Sequence, residues 1–174
     1  GTRWEVTLPV TKLENGLQQK PKAESLEALK GRRVLLCEDN QMNTEIASML
    51  LKDKGMLVET AENGAIGLKM FAASPEDYYD IVLMDIRMPE MDGLEAVRRI
   101  RALDRPDAVA VPVIAMTADA FEESIREAKA AGMNAYITKP IEPGKMFETL
   151  RRWAKQCRPA SDNKKPPARR PAAY

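Results

Sequence analysis

The sequence predicts a doubly wound α/β domain built on one five-stranded parallel sheet. Three observations carry that prediction. From Arg33 onward, short apolar runs alternate with helical periodicities five times, and successive βα units of this size close into a single parallel sheet. The apolar runs are continuous, as in Val34-Leu35-Leu36-Cys37 and Ile81-Val82-Leu83-Met84, which marks strands covered on both faces. Charged residues then follow the runs where the chain turns: Glu38-Asp39, Asp85 and Lys139. They sit at the carboxyl ends of strands, where open α/β sheets bind ligands.

In chain order, residues 1–10 (Gly-Thr-Arg-Trp-Glu-Val-Thr-Leu-Pro-Val) alternate as one strand, which cannot fold alone. Residues 11–30 are polar and read as a linker, with a short helix expected from Ser25 to Lys30. The folded domain spans 31–156. Strands are expected at 33–38, 56–61, 80–84, 111–116 and 134–137, and helices at 41–53, 63–73, 93–104, 121–131 and 142–156. In the first helix, Met42, Ile46, Met49, Leu50 and Asp53 recur at helical spacing, and Gly55 stops it. Asn63-Gly64 opens the second helix. Pro89 and Asp92-Gly93 force a loop after the third strand. Gly93, Leu94, Val97, Ile100 and Arg101 give the third helix its stripe. Phe121, Ile125 and Ala128 do so for the fourth, which Gly132 ends. Glu142-Pro143 starts the fifth, with Met146, Leu150 and Trp153 on its buried side. The methionines are expected to pack in the core and not to bind metal. Residues 157–174, with Lys164, Lys165, Arg169 and Arg170 among four prolines, read as a disordered basic tail.

Composition narrows the function. Hydrophobic residues at 44% and charged ones at 30% are those of a soluble globular protein. A formal charge of +1 gives no case for nucleic acid or a membrane surface. No apolar run approaches the roughly 20 residues that span a bilayer, and no secretory signal opens the chain. Two cysteines, Cys37 and Cys157, make no disulfide framework and fit a reducing, cytoplasmic compartment. The complete absence of histidine removes histidine metal sites, histidine-based triads and any phosphohistidine on this chain.

Four blocks also carry a family resemblance: Leu36-Cys37-Glu38-Asp39-Asn40, Met84-Asp85-Ile86-Arg87-Met88-Pro89-Glu90-Met91-Asp92-Gly93, Met116-Thr117-Ala118 and Thr138-Lys139-Pro140. In this order over about 31–156 they resemble the signature blocks of the two-component response-regulator receiver domain. The resemblance implies the flavodoxin-like strand order 2-1-3-4-5, with helices on both faces. The switch point of that order lies between the first and third strands, which brings Glu38-Asp39 beside Asp85.

Three converging carboxylates, Glu38, Asp39 and Asp85, repel by about 4 kcal/mol per pair at ~4 Å and an effective dielectric near 20. They call for a cation, or for protonation of one member. An oxygen-only, partly open ligand set suits Mg²⁺. Lys139 adds a second positive charge and Thr117 a hydroxyl. These parts are what phosphoryl transfer to an aspartate requires.

The resemblance implies the individual roles. Asp85 is expected as phosphoacceptor and Asp39 as direct Mg²⁺ ligand, with Glu38 acting through water and the Arg87 carbonyl as a backbone ligand. Lys139 and Thr117 would contact the phosphoryl group, and Tyr136 would be the switch aromatic on the face formed by the fourth helix, fifth strand and fifth helix. Arg87 and Asp119 would flank the phosphoryl group, and their pairing is expected to slow its hydrolysis. Glu38 stands where the family more often has aspartate; with Asn40 and Asn43 this resembles receivers of hybrid sensor kinases. Residues 1–10 resemble the last strand of a histidine-kinase ATPase domain. The expected donor is therefore a phosphohistidine, upstream in a parent kinase that could be membrane-anchored or on a partner, and the expected acceptor downstream is a histidine phosphotransfer protein. Such a module catalyses its own phosphorylation and slow hydrolysis and turns over no separate substrate. Two other readings compete with it. An aspartyl-phosphate hydrolase of the haloacid dehalogenase type needs an aspartate two residues after the nucleophile, where Arg87 stands. An unphosphorylated scaffold receiver would lack a site residue, and none is missing.

Overall fold

The computed structural model describes residues 27–118 and 121–154. Its strands are β1 (Arg33–Cys37), β2 (Leu57–Ala61), β3 (Ile81–Asp85), β4 (Val113–Thr117) and β5 (Ala135–Thr138). Its helices are α1 (Gln41–Asp53), α2 (Gly64–Ala73), α3 (Gly93–Arg101), α4 (Pro106–Ala110), α5 (Glu122–Ala130) and α6 (Pro143–Ala154). All strand pairs are parallel and the sheet order is β2-β1-β3-β4-β5, as expected. A 3-10 turn over Glu27–Leu29 lies within the short helix expected at 25–30, and it tucks Leu29 into the core. The strand expected at 1–10, the linker up to residue 26 and the basic tail lie outside the described residues. Among the described residues, no helix is long and apolar enough to cross a membrane.

The continuous apolar runs are explained by a core on each face of the sheet. Side chains alternate along a strand. Leu35, Cys37, Val82, Met84, Val113 and Ala115 face one core, shared with α2, α3 and α5. Val34, Leu36, Ile81, Leu83, Ile114 and Met116 face the other, shared with α1 and α6. Each such side chain contributes about 1.5–3 kcal/mol by leaving water, so neither face of these strands tolerates polar residues until the strand ends.

Helix starts follow their caps. The side chains of Asn40, Asn63 and Asp92 accept from the backbone N–H of Asn43 (3.1 Å), Ile66 (2.8 Å) and Glu95 (2.8 Å), each worth about 1 kcal/mol. Gly55 and Gly132, with φ of +73° and +98°, end α1 and α5 in the left-handed conformation that glycine adopts without strain.

Three expectations are corrected. First, α3 stops at Arg101, and a further short helix, α4, follows with Pro106 in its first turn. Five residues show no periodicity; α4 is fixed instead by its neighbours. Arg101 donates to the carbonyls of Ala108 and Val111 and to Gly132 and Asn134 on the far side, while Arg105 donates to the carbonyls of Phe71, Ser74 and Pro75. Second, the stripe expected to anchor α1 faces solvent. Met42 is 70% exposed, Met49 is 66% exposed and Ile46 is also exposed, while Ala47, Ser48 and Leu51 are buried. Helix α1 has two adjacent apolar rows, and the row with the smaller side chains lies against the sheet. Met42 and Met49 are therefore not core methionines. Third, Phe121 is the N-cap residue of α5 and 71% exposed, so it precedes the buried row instead of opening it.

Candidate functional site

The end of each strand decides what stands at the mouth of the sheet. Glu38 continues the row of Val34 and Leu36, Asp85 that of Ile81 and Leu83, and Lys139 that of Ile137. All three therefore project to the α1/α6 side at the carboxyl edge of the sheet, from β1, β3 and β5. Lys139 Nζ lies 2.6 Å from Asp85 Oδ2 and 2.7 Å from Glu38 Oε2. Carboxylate oxygens of Glu38, Asp39 and Asp85 all lie within 4.8 Å of one another. Glu38 and Asp85 are buried and Asp39 is exposed, which leaves the cluster open on one side.

The surroundings hold these groups in place. Asp85 Oδ1 accepts from the backbone N–H of Arg87 at 3.2 Å. Glu38 Oε1 accepts from Asn43 Nδ2 at 2.9 Å. Glu38 Oε2 meets the Lys139 ammonium as a charge contact, and among the described residues no other donor reaches it. The backbone N–H of Lys139 donates to the Thr117 carbonyl at 2.7 Å, tying the lysine to the end of β4, and the Lys139–Pro140 peptide bond is cis. Thr117 is buried beside Asp85, whose neighbour in the β3–β4 register is Met116. Gly93 closes the β3–α3 loop tightly: a Cβ there would run into the Asp85 carbonyl oxygen. Glu90, at φ +63°, accepts from Asn63 Nδ2 at 2.9 Å, tying that loop to α2.

The electrostatics show a shortage of positive charge. Burial pushes the Asp85 carboxyl above its ordinary range; the Lys139 ammonium and the Arg87 N–H pull it down, Glu38 pushes it up, and the net direction is up. Burial opposes the Lys139 charge, but its contacts with Asp85 and Glu38 outweigh that and raise its pKa. The asymmetry has a simple cause. Lys139 serves two carboxylates, whereas Asp85 shares one ammonium with a second acid. Among the described residues, the cluster gathers three carboxylates where the Lys139 ammonium is shared by two of them. Its all-oxygen donors and open side fit a hard divalent cation such as Mg²⁺. Cys37 lies nearby but takes no part in nucleophilic chemistry, because burial pushes its thiol up to about 12.

The remaining expected residues are placed as follows. Arg87 is exposed on the loop after Asp85. Asp119 lies outside the described residues. Tyr136 sits on edge strand β5, 43% exposed, and lines a groove of about 390 Å³ with residues of α6. What sequence reasoning missed is the link from Asn43 to Glu38. Its signal was the spacing of Asn40 and Asn43, which was seen only as a family pattern.

Comparison with known proteins agrees with this geometry. The family model for the response regulator receiver domain matches residues 34–151. "Probable histidine kinase 2" of Oryza sativa subsp. indica is 36% identical over 152 residues, covering 81% of this chain but only 14% of that protein. The receiver domain of sensor histidine kinase PA1611 from Pseudomonas aeruginosa PAO1, solved with a magnesium ion coordinated in its active-site cleft, superposes with TM-score 0.65 at 34% identity. That match covers 72% of this chain and 98% of that one. A co-crystal structure of the Saccharomyces cerevisiae histidine phosphotransfer protein Ypd1 with the receiver domain of Ssk1 matches with TM-score 0.66 at 25% identity, over 72% of this chain and 90% of the other.

Proposed function

This chain belongs to the response regulator receiver domain family, and from that premise we propose that it accepts a phosphoryl group on Asp85 within a phosphorelay of a hybrid histidine kinase. The observation that carries this reading is the single ammonium of Lys139 shared between Asp85 and Glu38 at the carboxyl edge of the sheet. A carboxylate oxygen of Asp85 attacks the phosphorus of a phosphohistidine; the P–O bond forms as the P–N bond breaks, and the electron pair leaves on the imidazole nitrogen, which takes a proton from solvent. Lys139 moves its charge from the carboxylates to a phosphoryl oxygen, and the Thr117 hydroxyl donates to another. Asp39, Asp85, the Arg87 carbonyl and, through water, Glu38 would hold Mg²⁺, which would supply charge that offsets the phosphoryl oxygens.

The donor histidine must lie elsewhere, because this chain has none. The parent is a hybrid kinase in this reading, with residues 1–10 the end of its ATPase domain. The exposed row Met42, Ile46 and Met49 begins in the same turn of α1 that reaches Glu38. An apolar row beside the site suits a protein partner, and a histidine phosphotransfer protein is the kind of partner with which the yeast receiver domain is co-crystallised. Phosphorylation then draws Thr117 inward, lets Tyr136 turn in, and remodels the face of α5, β5 and α6. Amide exchange with bound BeF₃⁻ should differ from the free protein over residues 117–140.

Transfer of label from a phosphorylated histidine phosphotransfer protein tests the reading. Label should reach this chain only with Mg²⁺ and not reach Asp85→Asn. Label taken from ATP alone would contradict it.

A further inference from the structure

We infer that Asn43 is a positioning residue for the phosphoryl-transfer site: its side-chain amide fixes the Glu38 carboxylate so that one oxygen is committed and the other faces Lys139 and the metal position. The inference rests on the site reading above and deepens it.

Glu38 is 3% exposed. A carboxylate that buried needs a donor for each oxygen, because an unpartnered buried acceptor costs about 1–3 kcal/mol. Among the described residues, Oε1 has Asn43 Nδ2 at 2.9 Å, and Oε2 has only the Lys139 charge contact. Glutamate also has one more rotatable bond than the aspartate common at this position. Without a second anchor it could swing Oε2 away from the cluster.

The local fold explains why residue 43 makes the contact. Asn40 caps α1 by accepting from the Asn43 backbone N–H, which sets the first turn. Side chains in a helix lean back toward its N-terminus. Asn43 occupies the third helical position, where a capping box would place Glu or Gln to reach the cap backbone. Here the shorter amide reaches past the cap to Glu38. Thr44 supports the same turn by donating from Oγ1 to the Asn40 carbonyl at 3.1 Å. Asn40 thus acts on the helix, Asn43 acts on the acid, and the two asparagines make a chain from cap to site.

A merely structural asparagine and a positioning one differ in outcome. Asn43→Ala leaves the Asn40 cap intact and introduces the best helix former, but it also removes the donor to Glu38 Oε1, so thermal unfolding without Mg²⁺ should fall modestly. Mg²⁺ affinity should fall about tenfold, the low end of what groups orienting metal ligands contribute. Phosphorylation by acetyl phosphate should need correspondingly more Mg²⁺ while recovering most of its rate at saturation.

The test is calorimetric Mg²⁺ titration of the full chain as wild type, Asn43→Ala, Glu38→Gln and the double variant. The expected result is that Asn43→Ala weakens binding in the wild-type background and changes it less than about twofold with Glu38→Gln. Equal affinity in wild type and Asn43→Ala would overturn the inference and leave the site reading standing. So would an undiminished loss in the Glu38→Gln background. If wild type bound no Mg²⁺, the site reading itself would fall and the inference with it.

Discussion

Asp85 and Asp107 are both 5% exposed, yet their surroundings push them in opposite directions. Asp107, in α4, is gripped by Arg105 through two contacts of 2.6 and 2.7 Å and accepts from the Asp77 backbone N–H at 2.8 Å. Burial opposes its ionisation, but those donors outweigh burial and hold the carboxyl below its usual range. Asp107 raises the Arg105 pKa in turn, against the burial of that guanidinium. Burial pushes the Asp85 carboxyl up, and the shared ammonium and one backbone N–H, beside a second acid, do not pull it back, so it is held above the usual range. A satisfied buried aspartate holds structure together. One left short of charge is ready for a cation and a phosphoryl group.

The largest expected difference is in stability. Asp107→Asn replaces the charged two-point partner of Arg105 with a neutral one, while the carbonyls of Phe71, Ser74 and Pro75 remain, and should cost about 1.5–3 kcal/mol in urea unfolding. Asp85→Asn removes a carboxylate from a crowded cluster and should change stability by less than about 1 kcal/mol, or raise it. Equal losses would break the comparison.

The pH dependence sharpens it. Asp107 has a depressed folded pKa, so its stabilisation is complete above the unfolded value of about 3.9 and is lost as pH falls through the folded value. Asp85 has a raised folded pKa. Its ionisation destabilises the fold, fully above the folded value, and that penalty is relieved as pH falls toward the unfolded one. In EDTA, the stability gained by Asp85→Asn over wild type should therefore shrink on acidification. A gain that grew toward acid would reverse the assigned sign.

A third comparison is between the two rows of α1. Ile46→Asp and Met49→Asp should each leave stability within about 0.5 kcal/mol, while weakening phosphoryl exchange with a histidine phosphotransfer protein. Leu51→Ala, from the buried row, should cost about 2–5 kcal/mol. Unchanged exchange in both aspartate variants would remove the docking role from this row.

The fold was largely legible because both faces of the sheet are covered: apolar runs such as Ile81–Met84 can be little else, and Asp85 ends its run abruptly. The site acids were legible for the same reason, as charges at the ends of such runs. Helix rotation was not. Met42, Ile46 and Met49 have the spacing of a core row, and only packing chooses Ala47 and Leu51 instead. Helix α4 left no periodic signal because arginines on neighbouring segments hold it. The Asn43–Glu38 contact joins a helix to a strand end, which spacing alone does not measure.

The smallest expected effect is kinetic. We propose that Arg87 and Asp119 pair across the site mouth and crowd the hydrolytic water, an interaction worth about 0.2–1 kcal/mol. Single alanine variants should each hasten decay of phospho-Asp85, and the double variant should decay no faster than the quicker single. Additive effects would separate the two side chains; unchanged or slower decay in both single variants would remove the shielding.

The most direct measurement is intact mass after incubation with Mg²⁺ and acetyl phosphate. Wild type should gain one phosphoryl group, lose it on addition of hydroxylamine, and gain none in EDTA. Asp107→Asn, if folded, should still gain it, and Asp85→Asn should not. Retention of the full gain in Asp85→Asn would contradict the account, as would no gain in wild type with Mg²⁺ bound.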